Sequence, residues 1–198
     1  VTAGYINETA REGFLQHLDA VNVDLKGFSE SFYHELCSGS LQPVLDTLEY
    51  LVQQTSVWTE ITTLLIPGEN DSEIELAAMT RWIADHLGPD VPLHFSAFHP
   101  DYKLMNHPPT THQSLLKAKR IAQGNGLNYV YLGNVHDPEN ASTSCPFCSK
   151  NLIGRTGYTI TAWHLDAKGR CDSCRQSLPG ILEPTHGTWG NRYERIRI

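Results

Sequence analysis

Four of the five cysteines fall in two pairs, Cys145-Pro146-Phe147-Cys148 and, 22 residues later, Cys171-Asp172-Ser173-Cys174. Two Cys-x-x-Cys knuckles can set four thiolates around one tetrahedral ion, and the intervening length lies just beyond the usual window of roughly 15 to 20 residues. The surrounding segment has little else to fold on. It is rich in glycine (154, 157, 169, 180, 187 and 190) and has one alternating run, Tyr158 to Trp163. Zinc held by thiolates contributes roughly 10–16 kcal/mol of apparent free energy in small modules, enough to order such a segment. A redox dithiol would place a single Cys-x-x-Cys at a helix start, and disulfides are disfavoured in a reducing compartment. Cys145, Cys148, Cys171 and Cys174 are therefore read as the ligands of a structural zinc, with iron in a rubredoxin-like site as the alternative. Four protein ligands leave no open position for catalysis, so this metal is architectural. Cys37 stands alone after an apolar helical stretch and reads as an inert thiol.

The residues before these knuckles follow a different rule. Strand candidates at 21–25, 57–66, 91–98 and 128–133 alternate with helix candidates near 7–18, 41–54, 71–87 and 111–124, the pattern of a parallel α/β sheet. In the second helix Leu41, Val44, Leu45, Leu48, Leu51 and Val52 share one face. The third starts with Ser72-Glu73-Ile74-Glu75, a capping-box pattern, and stops at Gly88-Pro89. Right-handed crossovers would build these units into an open doubly wound sheet or part of a βα barrel. The polar, aperiodic stretch 134–144 marks a boundary, giving two domains, 1–140 and 141–198.

Charge narrows the function classes. With 15 basic and 22 acidic residues the net charge is −7, and no basic patch stands out apart from a small basic C-terminal tail, so no nucleic-acid partner is expected. No apolar run approaches the roughly 18 residues that span a bilayer, and no leader pattern opens the chain, so a cytoplasmic protein without a membrane partner is expected. The chain begins at Val1, and VTAGYI reads as the end of a strand entering a turn, which suggests a piece of a longer protein.

In parallel α/β folds ligands gather at the carboxyl ends of the strands. There Asn22, Asp24 and Lys26 fall on one side of the first strand, and Asp24 with Lys26 can hold a ligand's ammonium and carboxylate; an ordinary exposed ion pair is the plain alternative. Glu60 and Thr62 can project inward from the second strand. His99 lies just past the alternation of His94, Ser96 and Phe98, before a long loop of the kind that binds or covers ligands. His107 and His112 read as solvent or capping residues, and the sequons at Asn7, Asn70 and Asn140 as chance matches.

Taken in order, VTAGYI, VNVDLKGF, TTLLIPGENDSE, HFSAFHPDYK and VYLGNV, followed by the two cysteine pairs, resemble the later part of the pyruvate formate-lyase activating enzyme family of radical S-adenosylmethionine proteins, especially the radical enzymes of the AmmeMemoRadiSam system. The resemblance covers nearly the whole chain. It implies an α/β fold, the C-terminal part of a partial (βα)6 barrel with parallel strands, joined to a small β-rich zinc-ribbon or rubredoxin-like module. It also implies an oxidoreductase in which S-adenosylmethionine on a 4Fe-4S cluster generates a 5′-deoxyadenosyl radical that abstracts hydrogen from a protein or small-molecule substrate. The family's cofactor contacts map onto Asp24, Lys26 and His99, and its Thr-Asn-Gly turn onto Thr2, with Ala3 replacing the asparagine and Gly4 retained. The three-cysteine cluster motif and the Gly-Gly-Glu segment are absent from this sequence and are expected upstream of Val1, so the chain alone is expected to be inactive and to self-associate through an open barrel edge. The competing reading is a non-catalytic α/β adaptor carrying a zinc ribbon.

Overall fold

The structure, a computed structural model, describes residues 1–187. The basic C-terminal tail lies outside the described residues. Contacts divide the chain into two units, residues 1–135 and residues 136 onward.

The first unit runs α1 (Glu8–Leu15), β1 (Ala20–Asp24), α2 (Glu30–Leu36), α3 (Gln42–Gln54), β2 (Trp58–Leu65), α4 (Glu73–His86), β3 (Leu93–Ala97), α5 (His112–Gly124) and β4 (Val130–Gly133). All four strands are parallel and lie in the order β1-β2-β3-β4. A doubly wound sheet reverses its order at a switch point, whereas steady right-handed crossovers in one direction give the arrangement of a barrel wall with its helices outside. Burial agrees. Val21, Val23, Thr59, Ile61, Thr63, Leu65, Leu93, Phe95, Val130 and Leu132 are buried, while the alternate positions Asn22, Asp24, Glu60, Thr62, His94, Ser96, Tyr131 and Gly133 are partly exposed. Thr2 makes a parallel bridge to Val23 on the free side of β1, as expected of a strand end at VTAGYI: its N–H donates to Asn22 O at 3.0 Å and its carbonyl accepts from Asp24 N at 2.9 Å.

The helices form where capping and periodicity require. Asn7, Ser29, Ser72 and Thr111 cap α1, α2, α4 and α5 with side-chain oxygens. The apolar face of α3 is buried through Val44, Leu45, Leu48 and Leu51, each contributing roughly 1.5–3 kcal/mol of burial free energy. The capping box on α4 is only half made. Ser72 Oγ accepts from Glu75 N at 3.2 Å, but the Glu75 carboxylate turns away to accept from Phe28 N at 2.7 Å, tying α4 to the loop after β1.

The second unit holds a one-turn helix, α6 (Pro138–Ala141), and an antiparallel sheet in the order β5 (Thr143–Ser144), β6 (Asn151–Thr156), β7 (Thr159–Trp163). The division after Val135 lies within the polar stretch 134–144, and α6, a single turn too short to show periodicity, packs with this unit. Ser142 Oγ donates to Pro138 O at 2.6 Å and accepts from Arg155 N at 2.9 Å, which fastens α6 to β6. The β6–β7 hairpin turns at Gly157, whose φ of 56° is readily reached only by glycine. The core of this unit is Cys145, Leu152, Ile153, Leu165 and Cys171. Two of those five are cysteines, so apolar burial alone cannot hold the unit.

Candidate functional site

At the carboxyl end of β1, Lys26 Nζ lies 2.9 Å from Asp24 Oδ2. Both side chains are partly exposed, so the pair contributes little stability and stays available to a ligand. The backbone beneath is held firmly. Lys26 N–H donates to the Tyr33 hydroxyl at 3.1 Å, and Lys26 O accepts from Asn70 Nδ2 at 2.6 Å. Asn70 also donates to Leu64 O at 2.9 Å and accepts from Ile66 N at 2.7 Å, so one buried amide joins the ends of β1 and β2. Its place in the sequence, just ahead of a helix, suggests a cap, but Ser72 caps α4 and Asn70 is 2% exposed, too buried to accept a glycan. Burial pushes the Tyr33 phenol up to about 12, against the lowering effect of the Lys26 N–H. Thr2 turns the chain beside this site, its hydroxyl accepting from Gly4 N at 3.2 Å. Gly4 has φ of 68°, and a Cβ there would sit 2.7 Å from Val23 Cγ1.

His99 is exposed just beyond β3 and shares no hydrogen bond with Asp24, Lys26 or Thr2. The loop that follows it is fastened at its far end. Thr110 accepts from Phe98 N at 2.9 Å and donates to Leu65 O, bridging β2 and β3. His107 is not a solvent or capping residue: its Nε2 lies 2.6 Å from Glu69 Oε1 and its ring meets Phe98 edge-on.

Farther down the sheet, the partly exposed face carries a connected polar wall. Thr62 Oγ1 donates to Asn22 Oδ1 at 2.9 Å. Glu60 accepts from Trp58 Nε1 at 3.0 Å and pairs with His94 Nε2 at 2.7 Å, and His94 stacks on Tyr131 with ring centroids 5.0 Å apart. Alternation along β2 puts Glu60 and Thr62 on this partly exposed face, whereas position along the chain singles out His99 and passes over His94. The signal for His94 is present in period two, since it alternates with Leu93 and Phe95.

The four paired cysteines meet. Their sulfurs all lie within 4.8 Å of one another, with Cys145 to Cys174 at 3.5 Å and Cys148 to Cys171 at 3.7 Å. A tetrahedral zinc at about 2.3 Å from each sulfur sets them about 3.8 Å apart, so the arrangement fits one ion; a disulfide would need about 2.0 Å. A four-iron cluster, with one thiolate on each iron, would spread them farther. The knuckles repeat one backbone pattern. Cys145 N donates to Lys150 O and Ser149 N to Cys145 O; Cys171 N donates to Gln176 O and Arg175 N to Cys171 O. Ser149 (φ 59°) and Arg175 (φ 65°) hold the equivalent left-handed position. The backbone N–H groups of Cys174 and Ser173 lower the Cys171 thiol, while Cys148 and Cys174 are shifted upward.

No family model matches the chain. An uncharacterized protein from Methanocaldococcus jannaschii is 38% identical over 183 residues, 92% of this chain and 54% of that protein. The chain thus spans about half the length of the curated relative it matches. Among solved structures, a domain of pyruvate-formate lyase-activating enzyme from Bacteroides vulgatus aligns with a TM-score of 0.59 and 14% identity, over 68% of this chain and 80% of that one. At that identity the likeness establishes a shared fold.

Thr2, Asp24 and Lys26 lie at the carboxyl end of β1. Among the described residues no helix is long and apolar enough to cross a membrane. The basic side chains near the knuckles, which look scattered in sequence, are largely neutralised: Arg170 and Arg175 lie on Asp166, and Lys150 lies on Asp172.

Proposed function

We propose that this chain is the later part of a radical S-adenosylmethionine enzyme related to the pyruvate formate-lyase activating enzymes, with the 4Fe-4S cluster ligands in a preceding segment of a longer protein. The observation that carries this reading is the Asp24–Lys26 pair at the carboxyl end of a one-directional parallel sheet. The fold likeness and the ordered motifs support it, as does the length of the relative. In such enzymes the bound cofactor pair supplies a 5′-deoxyadenosyl radical for hydrogen abstraction.

The residues here have separable tasks. Asp24 and Lys26 present one carboxylate and one ammonium, a match for the charged amino-acid end of S-adenosylmethionine. The Thr2 hydroxyl, beside the end of β1, and His99, just past β3, are the further side chains assigned to the cofactor in this reading. Glu60, His94 and Tyr131 line the sheet face where a substrate would lie. Cys145, Cys148, Cys171 and Cys174 hold zinc as a structural ion, outside the chemistry. The substrate is an unidentified protein or small molecule, and the setting is cytoplasmic.

The test is anaerobic reconstitution of the longer natural protein with iron and sulfide, followed by measurement of 5′-deoxyadenosine under reduction. Formation in the parent protein, and its loss in Asp24→Asn and Lys26→Met with the cluster spectrum unchanged, is the expected result. A fully loaded cluster that never cleaves S-adenosylmethionine would overturn the reading.

A further inference from the structure

The metal centre is braced by an ion pair outside the ligand set. Lys150 belongs to the first knuckle, since its carbonyl accepts from Cys145 N at 2.8 Å. Asp172 belongs to the second, directly after Cys171. Between them Lys150 Nζ lies 2.6 Å from Asp172 Oδ1. The other carboxylate oxygen, Asp172 Oδ2, lies 3.5 Å from His164 Nδ1, and Asp172 N donates to His164 O at 3.1 Å, so Asp172 is itself anchored just after β7. A second carboxylate, Asp166, holds Arg170 at 2.8 Å and Arg175 at 3.1 Å, but these residues flank the same, second knuckle. Lys150–Asp172 therefore differs in kind: it ties one knuckle to the other.

That link answers an electrostatic problem. Four thiolates on one divalent ion leave two excess negative charges, and the sulfurs, once deprotonated to bind it, repel one another. The knuckles would then part, since the apolar core of this unit is small. A cation fixed beside the sulfurs and joined to the opposite knuckle opposes both effects, as partners outside the ligand set commonly do for metal sites.

We propose that Lys150 and Asp172 are positioning residues for the metal centre, a strap that keeps the two knuckles at binding separation and slows release of zinc. The proposal rests on the reading that the four cysteines hold one zinc ion. Lys150 and Asp172 touch no metal and act through the geometry of Cys145, Cys148, Cys171 and Cys174.

The test loads this chain with zinc and follows transfer to excess 4-(2-pyridylazo)resorcinol. The parent chain is expected to carry one zinc. Lys150→Met and Asp172→Asn are expected to release it about three-fold faster, the scale of a partly exposed ion pair. The double variant should be no faster than the faster of the two single ones, because the Lys150–Asp172 link is already lost in each. Lys150→Arg should restore slow release, which a general loss of stability would not allow. Cobalt-loaded Lys150→Met should keep the thiolate charge-transfer band of the parent, showing four sulfurs still bound. Release from Lys150→Met at the parental rate, or additive effects in the double variant, would overturn the strap while leaving the metal centre intact. A parent chain that takes up no zinc would overturn the metal centre itself, and the strap with it.

Discussion

His94 Nε2 lies 2.7 Å from Glu60 Oε2, joining β3 to β2 across the partly exposed face of the sheet. A carboxylate only accepts hydrogen bonds, so Nε2 is the donor in this pair. Glu60 is steadied in turn by the Trp58 indole, and His94 by stacking on Tyr131. The imidazole is thus oriented by groups of the protein itself.

Histidine tautomers report that orientation directly. In nitrogen-15 spectra of the parent chain above the titration range of the ring, His94 should appear as the Nε2–H form. Glu60→Gln should give a mixture of tautomers, and a parent ring already mixed would show that Glu60 does not orient it.

Asn70→Ala removes three hydrogen bonds from a buried junction and strands the carbonyls of Lys26 and Leu64 and the N–H of Ile66. We expect a loss of about 3 kcal/mol in urea unfolding. Asn70→Asp should lose at least as much, because a carboxylate would then face two carbonyl oxygens.

Tyr33 sets an alkaline limit. Its phenol is raised from 10.0 to about 12, chiefly by burial, so between those values the unfolded chain releases this proton while the folded chain keeps it. The contribution is intact below about pH 10 and is lost as pH rises through 12, by about 2–3 kcal/mol. Unfolding free energies measured across that range should fall in the parent and fall less in Tyr33→Phe. That variant should also be weaker by about 1 kcal/mol at neutral pH, since Lys26 N loses its acceptor.

Removing metal should affect the units unequally. Chelation is expected to erase the dispersed amide signals of residues 143–177 while those of the parallel sheet persist, and Cys145→Ser or Cys171→Ser should do the same without a chelator. Thiolate–zinc binding of roughly 10–16 kcal/mol exceeds what burial of Leu152, Ile153 and Leu165, at about 1.5–3 kcal/mol each, can replace.

Ser149 carries a conformational penalty at φ 59°. Ser149→Gly should raise the stability of the zinc-loaded module by up to about 1 kcal/mol, and Ser149→Val should lower it, as thermal unfolding would show.

The alternation of strands and helices, the apolar face of α3 and the paired cysteines are all legible in the sequence, because periodicity and spacing are properties of neighbouring residues. Period two also separates the polar face of β1 from its buried face, and so by itself puts Asp24 and Lys26 on the same side. The single-turn α6 escapes, being shorter than the period that would reveal it. What only the tertiary structure decided is which distant residues meet. Glu60 reaches His94 across 34 positions and Asn70 reaches Lys26 across 44, because parallel crossovers set the register of strands far apart in the chain. Lys150 and Asp172 meet for a similar reason: the two knuckles close on each other, and no local pattern records which of several charged residues will span them.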